Sequence, residues 1–195
     1  MIEEALSSHY CVLSVIGPHA GEGIQEIFSR KIEDITRVGR TYWLFRSPKA
    51  TPAMVQRVGR CIGDAGFVYA VFIEPSSRGG SRPTLNDQKA TAFSADGLFW
   101  DDLPDGLSPV TGKLNPRPHA LVMDKIEIYN ETMQIDLWGY ADSHYTGVPI
   151  RLMLGCSTVA VSKNDMSAHP DRIKSRFRNI VGVARLAEPY CGFVR

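Results

Sequence analysis

The sequence predicts an α+β protein, and three observations carry that expectation. The first third alternates β-branched and aromatic runs with stretches of helical periodicity. Residues 74–118 hold Pro75, Gly79-Gly80, Pro83, Gly97, Pro104, Gly106, Pro109, Gly112, Pro116 and Pro118, which leaves no room for a long helix. The remainder returns to strand-forming runs and then to a last amphipathic stretch. The expected layout is an N-terminal β-α-β-α-β unit over residues 1–75 and a β-rich, loop-rich unit over 76–195 with a C-terminal amphipathic basic helix. The two are expected to pack as one compact globular protein.

In chain order, His9 to Ile16 is a β-branched and aromatic run stopped by Gly17-Pro18, hence a strand and its end. From Gly23, the residues Ile24, Ile27, Phe28, Ile32 and Ile35 recur at helical spacing until Gly39, with Ser29 as the one candidate for an interruption. Thr41 to Phe45 reads as a buried strand. Thr51-Pro52 supplies a cap followed by proline at the first helical position, starting a helix that runs through Val55 and Val58 to Ile62 before Gly63. Phe67 to Ile73 is the clearest buried strand.

In the second half, Leu121–Tyr129 and Met133–Trp138 read as the arms of a β-hairpin turning at Asn130-Glu131-Thr132. Pro149 to Val161 supplies another strand. Ser167-Ala168-His169-Pro170 begins the last helix, with Ile173, Phe177, Ile180, Val181 and Ala184 on one face. A strand containing Tyr190 and Phe193, broken by Pro189, closes the chain.

With 195 residues, 44% of them hydrophobic and 22% charged, the composition excludes a disordered or collagen-like chain and supplies a sizeable core. Cys11, Cys61, Cys156 and Cys191 lie far apart with no paired zinc-ligand spacing, so reduced thiols and no metal are expected. The start Met1-Ile2-Glu3-Glu4 is acidic, the run from Tyr10 to Ile16 is too short for a signal-peptide core, and no apolar stretch nears the roughly 20 residues that span a bilayer. The expectation is a cytoplasmic protein with no membrane contact and no cofactor.

The formal charge of +1 hides strong patterning. Residues 1–28 carry −4, residues 29–60 carry +6, residues 61–150 carry −6 and residues 151–195 carry +5. Two basic blocks bracket an acidic one, and a fold that joined them would make a positive cleft on a near-neutral protein. On the expected last helix Arg172 and Arg176 fall on one shoulder of the apolar stripe, with Lys174 and Arg178 on the other. Arg46-Ser47-Pro48-Lys49 lies between a strand and a helix N-terminus, where free N–H groups favour anions. The loop Ser76–Arg82 adds Arg78 and Arg82. These residues form the candidate phosphate-facing set of a non-catalytic protein that binds DNA, RNA or a nucleoprotein complex.

Two other functions compete. In Asp96–Asp105 the aromatic Phe99 and Trp100 are flanked by Asp101 and Asp102, the pattern of an interaction or inhibitor module whose apolar anchors meet a basic protein partner. Cys156, with His144 and Asp142 upstream, contains the groups of a cysteine-dependent hydrolase or transferase. The Gly17–Gly23 segment has a GxxxGxG spacing at a strand-to-helix junction. Pro18 removes a donor and Glu22 places a negative charge where a pyrophosphate would sit, so it reads as a plain turn.

Overall fold

In the computed structural model the described residues are 1–19, 21–45, 50–61, 67–75, 87–115, 117–142, 158–163 and 177–195. They form an α+β fold built on one large mixed sheet with few helices. Helix α1 (Ile2–Ser7) leads into β1 (Tyr10–Val15), followed by α2 (Ile24–Val38), β2 (Thr41–Phe45), α3 (Pro52–Cys61) and β3 (Val68–Ile73). Short strands β4 (Gln88–Lys89), β5 (Ala92–Ser94), β6 (Asp101–Asp102) and β7 (Thr111–Gly112) occupy the proline-rich middle. The long β8 (His119–Asp136), β9 (Tyr140–Asp142), β10 (Thr158–Lys163) and a second long strand, β11 (Phe177–Val194), complete the chain.

The strand order is β2-β8-β11-β3-β1-β10-β9, with β5 and β6 added beside the far end of β11. The first third opens with a helix, α1, that the expected β-α-β-α-β order lacks, and its strands do not close into a unit of their own. Only β1 and β3 pair, in parallel, while β2 lies across the sheet against β8. The long strands β8 and β11 stand between β2 and β3 and are themselves antiparallel partners.

Local chemistry explains the helices. At the start of α2 the Glu26 carboxylate accepts from Gly23 N at 2.6 Å, and the helix runs through Ser29 without interruption. It stops at Gly39, whose φ of 77° is a left-handed cap that a side chain would strain. At the start of α3, Thr51 Oγ1 accepts from Met54 N at 3.3 Å.

Both sheet faces are covered, which is why β3 is buried at every position. On one face Ile27 and Phe28 of α2, with Val55 and Val58 of α3, pack on Val12, Phe72, Leu121, Met123 and Leu186. On the other, Ile2 and Ala5 of α1 meet Leu13, Val71, Val159, Ile180 and Val183. The β2 end of that second face is covered by Ala90, Phe93 and Val110, which pack on Tyr42, Val122 and Val194. Tyr42 and Trp43 thus point to opposite faces, as strand alternation requires.

Two expectations are corrected. Residues 177–184, placed in a C-terminal basic helix, belong to strand β11, which runs to Val194. A register shift between Ile180 and Gly182 sends Val181 and Ala184 to one face and Ile180 and Val183 to the other, a spacing of three that imitates a helix. The hairpin expected over 121–138 is likewise a single strand, β8, to Asp136, after which Leu137–Gly139 forms a 3-10 turn. Ile128 pairs with Gly182 and Met133 with Ile180, so the polar break at Asn130 is a wide bulge after which the strand resumes in the same direction. Asn130 is held there by Gln25 of α2, whose side-chain amide donates to Asn130 Oδ1 at 2.8 Å.

Candidate functional site

The described residues locate some of the expected site groups. Arg46, Lys49, Arg78, Arg82, Arg172, Lys174 and Arg176 lie outside them. Of that basic set Arg178 alone is described, half-buried on β11 opposite Ile135 of β8. Cys156 and His144 also lie outside the described residues, while Asp142 ends β9, its backbone paired with Val161. The described part of the structure therefore assembles neither the phosphate-facing set nor the cysteine constellation.

The acidic-aromatic segment is described completely. Strands β5 and β6 pair antiparallel, Ala92 with Asp102 and Phe93 with Asp101, so residues 95–100 form the tip of a hairpin. The tip is locked by its own polar side chains. Ser94 Oγ donates to Asp96 Oδ1 at 3.1 Å and accepts from Gly97 N at 2.8 Å. Asp96 Oδ1 also accepts from Leu98 N at 2.7 Å and Phe99 N at 3.0 Å. Those two backbone N–H bonds, chiefly, hold the Asp96 carboxyl below the ordinary aspartate range. Gly97, with φ of 81°, completes the turn in the left-handed region.

This geometry points Leu98 and Phe99 outward, 78% and 79% exposed. Trp100 turns back, with the guanidinium carbons of Arg195 and Arg117 at 4.3 and 5.3 Å from its ring centroid. Asp101 and Asp102 are exposed beside it. The hairpin base is tied to β11, Phe193 opposite Ser94 and Val194 opposite Phe93, and to the backbone of Arg195, whose carbonyl accepts from Thr91 N at 2.8 Å. From α3, the Gln56 side chain donates to the Ala95 and Cys191 carbonyls, each at 3.5 Å. The site is thus a stem tied to the sheet that carries an apolar tip, with Asp101 and Asp102 exposed beside it and two arginines stacked on Trp100.

Sequence reasoning picked out Phe99, Trp100, Asp101 and Asp102 but missed what holds them. Arg117 and Arg195 are separated from the tip by long stretches of sequence, and only the pairing of β11 with β5 and β8 brings them to it. The Ser94-x-Asp96-Gly97 spacing was a readable turn signal. Within the Gly17–Gly23 segment His19 and Glu22 exchange backbone hydrogen bonds of 3.0 and 2.9 Å. Among the described residues no group of three His, Cys, Asp or Glu is placed to hold a metal ion, and no helix is long and apolar enough to cross a membrane.

Fold and site together define an α+β sheet protein with a locked hairpin tip that exposes two large apolar side chains. No protein-family model matches the chain, and no curated protein or solved structure is significantly similar to it.

Proposed function

We propose that the protein is an interaction module that docks its hairpin tip, Leu98 and Phe99, into an apolar pocket of a protein partner with a basic rim. The observation that carries this reading is the near-complete exposure of two adjacent large apolar side chains on a turn fixed by four hydrogen bonds. Exposed apolar groups on a mobile loop would cost ordering entropy on binding, whereas a fixed turn has already met that cost. Phe99 is the anchor and Leu98 its neighbour. Asp101 and Asp102 supply the charge that selects a basic rim over an acidic one.

The test places a photo-reactive side chain at position 99 and, as control, at Glu33, an exposed site on α2. The expected outcome is a specific adduct from position 99 alone, mapped to a partner segment rich in Lys and Arg. A competing excess of wild-type protein should suppress it, and an excess of Leu98→Ala protein should not. Identical adducts from both positions would overturn the reading. The nucleic-acid alternative is separated by titration with labelled DNA and RNA. Saturable binding that weakens steeply with salt and is unaffected by Phe99→Ala would move the assignment to the basic residues.

A further inference from the structure

A cleft of about 400 Å³ lies between α2, β2, the end of β1 and residues 109–113. That volume is on the scale of a small-molecule site. Its walls are mainly apolar, from Ile16, Ile27, Trp43, Leu44, Phe45 and Val110. Lys31 borders it and is only 6% exposed.

An ammonium carries three N–H donors, and a buried one gains from filling them. Among the described residues Lys31 Nζ donates to the Tyr42 carbonyl at 2.8 Å. Asp34 Oδ2 stands 3.8 Å away, too far for a good hydrogen bond. Asp34 is held off by its own partners, Thr41 Oγ1 at 2.9 Å and Ser108 N at 2.7 Å. The neighbouring Arg30 is engaged with Glu22 through contacts of 3.0 and 2.7 Å. Of the two cations on the α2 wall Lys31 is the buried one, beside an apolar space, and Arg30 turns two of its five N–H donors to Glu22.

We propose that this cleft binds a small aromatic or apolar monocarboxylate, whose carboxylate accepts from Lys31 Nζ while its ring or chain lies against Ile27, Trp43 and Phe45. One acid group is expected because Lys31 is the buried cation among the described lining residues. The lining by Tyr42 to Phe45 of an edge strand raises a different occupant, an added peptide strand. Lys31 argues against it, since it already covers a main-chain acceptor of β2.

Burial brings the Lys31 ammonium down to about 8, with Asp34 and Glu22 favouring the charged form and Arg30 opposing it. His19, Asp87 and Lys113 are the other ionisable groups on the walls. Carboxylate binding should therefore fade as pH rises through about 8, well below the ordinary lysine range.

The experiment is a saturation-transfer NMR titration of the full chain with benzoate, and with benzyl alcohol as the uncharged comparison. Benzoate should saturate with a dissociation constant of about 1–5 mM, the scale for so few atoms. Binding should weaken about tenfold or more in Lys31→Met and in the wild type about two pH units above neutrality. Benzyl alcohol should bind more weakly than benzoate at neutral pH. If Lys31→Met does not fold, Thr111→Trp, which fills the cleft from an exposed lining position, should abolish the signal while leaving Lys31 in place. Absence of saturable benzoate binding, binding indifferent to pH and to Thr111→Trp, or benzyl alcohol binding as tightly as benzoate would each overturn the proposal.

Discussion

On one face of the sheet α2 and α3 bury Phe28, Val55 and Val58 almost completely, whereas at the β2 end of the other face the 87–114 segment buries Phe93 and Val110 yet leaves Leu98 and Phe99 open to solvent. Both covers are anchored to the same strands, but by different means. A helix aims its side chains by its own periodicity, so an apolar stripe that meets a sheet is buried as a whole. The 87–114 cover is aimed locally, by the Asp96 turn and by main-chain pairing with β11, so some of its apolar side chains point in and others out. The difference teaches that the fold draws stability from the helical cover and is free to expose apolar surface on the irregular one. Substitutions on the two sides should therefore separate stability from binding.

The largest expected effect falls on the helical cover. Phe28 is fully buried, its ring 5.3 Å from that of Phe72 and 6.2 Å from that of Trp43. Phe28→Ala leaves a cavity among three strands and should cost about 3–5 kcal/mol in denaturant unfolding. Partner capture through Phe99 should persist wherever the variant remains folded. A cost near zero would mean that α2 is not the principal cover.

Next comes the joint between the covers. A Cβ on Gly192 would strike the Ser94 carbonyl oxygen and the Phe93 ring. The ring can turn aside, but the carbonyl belongs to the β5 main chain, so Gly192→Ala must push β5 from β11. We expect about 1–3 kcal/mol of destabilisation, with amide hydrogen exchange rising first at residues 92–102. Uniformly increased exchange across α2 as well would show that the two covers do not yield separately.

How much of this was legible follows the same division. In α2 the residues Ile24, Ile27, Phe28, Ile32 and Ile35 between Gly23 and Gly39 encode a helix through local spacing alone, and β2 and β3 are short runs bounded by clear stops. Strands β8 and β11 depend on each other. The bulge that places Val181 and Ala184 on one face exists only in their pairing, and the sequence at Asn130 looks the same whether the chain reverses or bulges. The site was half legible for a related reason. Composition marked Phe99, Trp100 and the aspartates, and the outward direction of Leu98 and Phe99 follows from the local Asp96 turn, but the inward direction of Trp100 goes with Arg117 and Arg195, which arrive through the sheet.

A smaller effect lies in pH, at the end of the sheet that carries the hairpin. The His119 ring lies between Phe45 and Phe193, at centroid distances of 5.6 and 5.2 Å, and its Nδ1 is buried with no hydrogen-bond partner among the described residues. Burial lowers its pKa from the ordinary histidine range. The unfolded chain therefore takes up the proton first as pH falls. The stability that depends on neutral His119 is fully present above about pH 6.5 and is lost as pH drops from there through the lower folded value. His119→Phe should remove this part of the pH dependence and leave stability at neutral pH equal or higher. An unchanged slope between wild type and His119→Phe would locate the titration in another group.

The smallest expected change in stability is at the tip itself, and it is the sharpest form of the comparison. Phe99→Ser removes a side chain that is 79% exposed, and exposed positions usually shift stability by no more than about 0.5 kcal/mol. Asp96→Ala leaves Phe99 in place but removes the acceptor that fixes Leu98 N and Phe99 N. If the tip binds because it is presented rigidly, both variants should lose capture of the partner, Phe99→Ser through the missing anchor and Asp96→Ala through the freed turn. The two are told apart by exchange at the Leu98 and Phe99 amides, protected in Phe99→Ser and released in Asp96→Ala. Full capture by Asp96→Ala with those amides released would show that exposure of Phe99 suffices and that the locked turn serves the fold rather than the partner.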